Sequence, residues 1–287
     1  LERTIPSYLQ PEVRELILVD DASTDDTWEV VMRLQKKYPI IHYIRQEYNT
    51  KQPEATNAGI AAASSKYIYF GDDDSFILPG TIGFLLETMK EKEADIVGAL
   101  ALYAETKSDL DNCEALLQRM APIYTVNHCM ANVARLEKVD FRARFEHPVQ
   151  VPFCQACALV KTVLAKKHRI DPSYRGNAYR EETDFFLRCA EHGASIWFDS
   201  RGVQINYPFS MIRRVRTLKS MWRHGYYDIV NTMKLIHRHH WWFQKKYNYP
   251  HGRTWMKGMY LFHAGLMYLE ILPGRLAGMI KRRFLHT

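Results

Sequence analysis

Cysteine is scarce and odd in number: five in 287 residues, at positions Cys113, Cys129, Cys154, Cys157 and Cys189. That argues against a secreted disulfide framework and sets the expectation of a reducing, cytoplasmic compartment. Cys154-Gln-Ala-Cys157 has metal-type spacing, but no second pair and no His-x-x-x-His follows, so these thiols read as small buried apolar groups. Long apolar runs are also missing. The most apolar late stretch, 258–269, lies between Lys257 and Glu270 and falls short of the ~20 residues that a membrane-spanning helix needs. No signal-peptide pattern opens the sequence, and neither an internal repeat nor a low-complexity tract interrupts it.

With 47% hydrophobic and 25% charged residues, the chain can bury a core as one large domain or a domain with an appendage, which excludes disorder, collagen and coiled coil. The net charge of +7 hides an asymmetry. In 210–287, fifteen Lys and Arg stand against only Asp228 and Glu270, so 1–209 is acidic on balance. An acidic body with a basic tail points to two tasks, chemistry in the first and attachment to something anionic in the second.

Leu1 to Leu9 reads as part of an amphipathic helix, and Glu15 to Asp20 as a buried strand closed by acids. A helix is expected over Trp28 to Tyr38, a strand over Ile40 to Arg45, an Ala-rich helix over Glu54 to Ala63 and a strand over Lys66 to Phe70. This βαβαβ rhythm predicts a parallel sheet with helices on its faces and ligands at the carboxyl ends of its strands. Gly80 to Glu93 reads as a helix and Asp95 to Leu100 as a strand, whereas Ala104 to Glu146 has a weak pattern and reads as a variable insert. Cys157 to Val160 and Ser195 to Phe198 are further strands, with a helix over Glu181 to Glu191 between them.

Three acidic clusters carry candidate chemistry. Asp72-Asp73-Asp74 follows an apolar strand and Gly71. A strand end presents alternate residues on one side, so Asp72 and Asp74 could share a Mg²⁺ or Mn²⁺ whose shell is completed by water and phosphate; the alternative is an acidic surface turn. Asp20-Asp21-Ala-Ser-Thr-Asp25 could accept hydrogen bonds from a nucleobase or ribose, or simply cap a helix. In Arg180-Glu-Glu-Thr-Asp184, acids at a helix start favour the dipole, and a carboxylate there aimed into a cleft is what a general base for a hydroxyl nucleophile requires.

Together Leu18 to Thr27, Asn57-Ala-Gly-Ile60, Tyr67 to Asp74 with Pro79, and Glu181 to Arg188 resemble the inverting family-2 glycosyltransferases over 1–210. The resemblance implies an α/β fold of the GT-A type, a Rossmann-like nucleotide-binding sheet with helices on both faces, followed here by a basic, aromatic, mostly helical tail. It divides the chain into a nucleotide-sugar-binding half (1–100), an acceptor and catalytic-base half (101–209) and the tail (210–287). It implies transfer of a sugar from a nucleotide-diphosphate donor to a hydroxyl acceptor. Asp21 matches the base-contacting aspartate, with Asp20 beside it; Asn57, Asp72 and Asp73 join the nucleotide-sugar-binding set; Asp72 and Asp74 match the Asp-x-Asp motif that holds Mn²⁺ or Mg²⁺. Glu182 falls on the catalytic base, with Glu181 and Asp184 as its competitors. Lys51 stands where the family usually has Gly, Thr56 where Arg is common, and Asn206 at the spacing of a metal-binding His. The family normally begins one strand earlier, so the sequence is expected to be a piece of a longer protein.

The tail interleaves cations with aromatics at Arg213 to Arg216, Trp222 to His224, His237 to Phe243 and Lys281 to Phe284, as suits an anionic membrane surface. Nucleic acid is the less favoured partner, and packing of the tail on the body is the plain alternative. His237, His239 and His240 read as surface histidines, and removal of the tail at about Phe209 is expected to spare chemistry. The expected acceptor is a membrane-associated glycan or polyprenyl-linked precursor on the cytoplasmic face. A soluble transferase for a small metabolite or protein, and a non-catalytic nucleotide-sugar or nucleic-acid binder, are the alternatives.

Overall fold

The structure is a computed structural model and describes residues 1–121, 144–208, 211, 218–248, 250–262 and 264–265. Cys129, the basic run 213–216 and the run 281–284 lie outside them, as does most of the expected variable insert.

The first half follows the expected alternation. A short helix α1 (Ile5–Tyr8) precedes strand β1 (Leu16–Asp20), helix α2 (Thr27–Lys37), strand β2 (Ile41–Arg45), helix α3 (Gln52–Ala62) and strand β3 (Tyr67–Tyr69). Tyr38 ends α2 just before Pro39, as expected where a proline follows. Then come β4 (Ser75–Ile77), α4 (Thr81–Glu91), β5 (Ile96–Tyr103), α5 (Lys107–Asp111) and α6 (Cys113–Met120). After the gap follow β6 (Val149–Gln150), β7 (Ala158–Lys161), α7 (Thr162–His168), α8 (Glu181–Glu191), β8 (Ile196–Asn206) and the long α9 (Leu218–Tyr247).

The expected single parallel sheet is in two pieces. β1 and β2 form a separate parallel pair, with Leu16 opposite Ile41 and Asp20 opposite Arg45. The main sheet is mixed, in the order β3-β7-β5-β8-β4, with β6 also paired to β8. Only β5 and β8 run parallel in it; β3–β7, β5–β7, β4–β8 and β6–β8 are antiparallel. Glu15 ties β1 towards the main sheet by accepting from the Ser64 and Ser65 backbone N–H groups at 2.9 and 2.7 Å.

β5 shows why the main sheet needs helices on both faces. Ile96, Leu100 and Leu102 join one core with Phe185, Phe186 and Leu187 of α8, whereas Val97, Ala99 and Ala101 join a second with Leu85 and Met89 of α4. That is the period of two of a strand buried on both sides. β8 runs past its expected end at Phe198, because its register with β5 shifts between Ala99 and Leu100 at the Asp199 to Gly202 irregularity, where Arg201 returns to Asp199 at 2.8 Å. The weak region after Ala104 holds two short helices. Thr106 and Asp109 form a reciprocal capping box at the first, a helix start that the polar composition masked.

α9 is not a detached tail. Leu235, Ile236, Trp242 and Phe243 on one face enter the main core, together with Met256 and Tyr260 from a further helical stretch over 253–262. The spacing is that of a helix with one buried stripe.

Candidate active site

The Asp72-Asp73-Asp74 triplet sits in a turn, not at the end of an extended strand, because β3 closes at Tyr69 and β4 opens at Ser75. Tyr8 of α1 fastens that turn: its hydroxyl donates to the Asp72 carbonyl at 3.1 Å and pairs with Ser75 Oγ at 2.7 Å. Gly71 makes the approach feasible, since a Cβ there would stand 2.7 Å from the Tyr8 ring. Asp72 and Asp74 are partly buried and Asp73 is exposed. Asp72 Oδ2 accepts from Gln204 Nε2 at 3.3 Å, and the Tyr207 N–H holds the Asp74 carbonyl at 2.9 Å.

α8 follows Arg180, whose φ of 76° turns the chain sharply into the helix. Burial, then the charges of Asp74, Glu182 and Asp73, push Asp72 up to about 7, which puts Glu182 within electrostatic reach of the turn. Glu181 is 4% exposed, has a buried Oε2 without a hydrogen-bond partner, and is pushed up to about 9 by burial and by Glu182 and Asp72. Glu182 is partly buried; burial raises it, against its own backbone hydrogen bond and the Arg180 charge. Arg180 is buried, with Nε and Nη2 lacking hydrogen-bond partners and its guanidinium 4.6 Å from the Tyr179 ring centroid. Asp72, Asp74, Glu181 and Glu182 thus form one assembly of mutually repelling carboxylates.

No group of three or more His, Cys, Asp or Glu among the described residues could hold a metal by itself. Two hard carboxylates on one turn, Asp72 and Asp74, fit a Mg²⁺ or Mn²⁺ that takes its remaining ligands from water and phosphate. Asn206 is buried, with its Nδ2 donating to the Leu102 carbonyl at 3.1 Å.

Three expected site residues are hydrogen-bonded within the fold. Asp184 is fully buried and accepts from Tyr174 at 2.9 Å, Arg188 at 2.7 Å and Arg238 at 2.7 Å, with His239 Nε2 at 3.1 Å. Despite burial, the hydrogen bonds and charges of His239 and Arg188 hold its carboxyl below the usual range. Asn57 clamps the Ile170 backbone, donating to its carbonyl at 2.9 Å and accepting from its N–H at 2.8 Å. Asp20 is buried and holds its own loop, accepting from the Ser23 N–H at 2.7 Å and from the Tyr43 hydroxyl. Asp21 reaches the β2–α3 loop, accepting from the Thr50 and Lys51 N–H groups at 2.6 and 2.8 Å, and remains partly exposed.

The histidine expectation is also corrected at one position. His239 is fully buried, with Nδ1 at 2.7 Å from Glu191 and Nε2 at 3.1 Å from Asp184. Two carboxylate acceptors require both ring nitrogens to donate, so the ring is an imidazolium. Burial pulls its pKa down, but the hydrogen bonds and charges of Asp184 and Glu191 outweigh that and raise it. Neither this role nor that of Tyr8 had a local signal, because the partners are 55 and 67 residues away in sequence.

Residues 1–121 match the model of Glycosyl transferase family 2. A GalNAc(5)-diNAcBac-PP-undecaprenol beta-1,3-glucosyltransferase of Campylobacter jejuni is 35% identical over 108 residues, 37% of this chain and 35% of its own length. The poly(ribitol-phosphate) beta-glucosyltransferase of Bacillus spizizenii is 29% identical over 123 residues, 39% of this chain and 19% of its own. The chain therefore spans about a third or less of the curated relatives it matches. Among solved structures, S. aureus TarS 1-349 in complex with UDP has a TM-score of 0.50 at 13% identity, covering 80% of this chain and 60% of that one. GalNAc-T7 with UDP, GalNAc and Mn²⁺ has a TM-score of 0.53 at 12% identity, covering 72% and 41%. These two speak for the fold. The match to glycosyl transferase family 2 thus covers residues 1–121 of the chain, and the solved structures add a GT-A-type fold.

Proposed function

We propose that the chain transfers a sugar, with inversion, from a nucleotide-diphosphate donor to the hydroxyl of a glycan or polyprenyl-linked acceptor held at the cytoplasmic face of a membrane. The observation that carries the reading is the carboxylate assembly of Asp72, Asp74, Glu181 and Glu182, gathered from two elements far apart in sequence. Asp72 and Asp74 would hold Mn²⁺ or Mg²⁺, whose chemistry is to offset the diphosphate charge as the leaving group departs. Asp21 orients the nucleoside at the β1 end, and Asp73, exposed beside the pair, contacts the sugar-phosphate side at most.

Glu182 takes the proton from the attacking hydroxyl. Glu181 is the poorer base because a carboxyl at about 9 keeps its proton at neutral pH. Glu182 is less enclosed and is steadied by Arg180, so it is the carboxylate that can meet the acceptor.

Support for membrane attachment comes from the outer face of α9, where Trp222 (70% exposed) and Tyr226 (62%) lie one turn apart beside Arg223, and from exposed Trp255 and Phe262 further on. The relatives named for undecaprenol-linked and poly(ribitol-phosphate) substrates support an acceptor of this class. The test is Mn²⁺-dependent binding of UDP- and GDP-sugars by calorimetry on wild type and Asp74→Ala. Loss of binding in the variant is expected; equal binding with and without Mn²⁺, or in both proteins, would end the metal reading.

A further inference from the structure

A cleft of about 290 Å³ opens between the β2–α3 loop and the loop that precedes α8, with α9 as its third wall. Each wall supplies one basic side chain: Lys51, Arg175 and His224. No Asp or Glu lines the cleft. It lies between the two ends of the site already described. The Lys51 N–H donates to Asp21 at 2.8 Å, and the carbonyl of Ala178, another lining residue, accepts from the Glu181 N–H at 3.0 Å.

The cleft is built rather than incidental. Gly176 has φ +75°, and a Cβ on it would stand 2.1 Å from the Tyr227 ring of α9, so the loop comes as close to that helix as only glycine permits. Asn177 Nδ2 donates to Asp228 at 2.5 Å and Asn231 Nδ2 to the Arg175 carbonyl at 3.0 Å, fixing the same loop. Lys51 and Ala178 both hold left-handed backbone, at φ 77° and 54°, a conformation that non-glycine residues keep only where the surroundings enforce it. Asp228 is engaged by Asn177, and Asp171, next to the lining residue Pro172, by Lys234 and Arg238.

We infer that this cleft binds a phosphate group carried by the acceptor, and so delivers the acceptor hydroxyl to Glu182; the inference rests on the transfer reaction proposed above. The division of charge is the argument. At Asp72 and Asp74 a phosphate is tolerated only through a cation, whereas three basic side chains receive one directly, Arg with a planar fork that matches phosphate. The donor diphosphate belongs to the carboxylate side, which leaves a carboxylate-free phosphate site for the second substrate. A volume at the small end of ligand pockets suits a polyol phosphate, a sugar phosphate or the head of a prenyl phosphate, and is too small for a whole nucleotide sugar.

The test is calorimetry on the full chain, with sn-glycerol 3-phosphate and farnesyl phosphate as probes, each with and without saturating UDP or GDP and Mn²⁺. Both probes are expected to bind without being displaced by the nucleotide. Preference for the farnesyl probe identifies a lipid-linked phosphate as the source, and preference for the glycerol probe a polyol phosphate. Lys51→Met/Arg175→Met changes two exposed side chains and keeps the Lys51 N–H. It should weaken the probes at least tenfold and leave nucleotide affinity within twofold, while Asp74→Ala does the reverse. Displacement by nucleotide, no binding at millimolar probe, or unchanged probe affinity in the double variant would overturn the inference. Phosphate binding that behaves as expected in a chain that binds no nucleotide would sink the transferase reading and leave the cleft standing.

Discussion

At Glu181 and Glu182 one residue's difference in position decides the chemistry. Glu182→Gln keeps shape and removes the proton acceptor, so kcat should fall by ~10² or more with donor affinity little changed. Glu181→Gln should be milder, because a carboxyl raised to about 9 already spends neutral pH protonated. Single-turnover transfer kinetics on both variants checks this, and a collapse only in Glu181→Gln would move the base by one residue. Asn57 belongs to a different class. Asn57→Ala strands a buried carbonyl and N–H of Ile170, so chemical denaturation should show a loss of about 2 kcal/mol with nucleotide affinity unchanged. An altered affinity at unchanged stability would return Asn57 to the site. The acidic runs themselves were plain in the sequence. Which member of each run faces solvent was not, because the partners that bury Asp184 and Asn57 lie on other elements.

The pairing of α8 with α9 governs the next scale. α8 carries Glu182 on one side and Asp184 on another, and α9 grips the second side through Arg238 and His239. Helix existence could be read from periodicity, but that a basic, aromatic segment would spend its cations inside the protein could not, since the same pattern suits a solvated or membrane face. The groups facing His239 are Asp184 and Glu191, with Arg188, Arg238 and Tyr174 around the shared carboxylate. A raised folded pKa means that the imidazolium contributes stability fully below the unfolded value near 6.5, and that the contribution fades as pH rises through the folded value. Asp184 has the opposite sign: its lowered pKa contributes above the ordinary carboxylate value and is lost in acid. Thermal melts should therefore fall from mildly acidic towards alkaline pH in wild type, and that decline should flatten in His239→Gln. Parallel profiles in the two proteins would remove His239 from the account. Truncation near Phe209 would remove core side chains along with this grip, so it is expected to unfold the protein instead of freeing an intact catalytic body.

Charge is divided across the whole molecule, with carboxylates around the proposed reaction centre and basic, aromatic surface on α9 and beyond. Liposome co-sedimentation separates the surface from the core without cutting the chain. Trp222→Ser/Tyr226→Ser should weaken binding to anionic vesicles several-fold and leave the melting temperature unchanged, and salt should weaken the wild type because screening acts over ~8 Å at physiological ionic strength. Binding indifferent to both changes would leave α9 as packing alone. The split of the sheet was illegible for a related reason: strand patterns give burial, and both the β1–β2 pair and β3 are equally apolar whether joined or apart.

The imidazolium bridge also bears on how such a protein can be recombined. Asp184 and Glu191 sit on one side of a junction and Arg238 and His239 on the other, so the two segments are complementary halves of a lock. A chimera that takes its C-terminal helices from another transferase inherits buried Asp184 and half-buried Glu191 without Arg238 and His239 unless 184, 191, 238 and 239 travel together. Acceptor preference should accordingly be exchangeable in blocks that respect this set, and shuffling across it should yield insoluble protein whatever the quality of each parent.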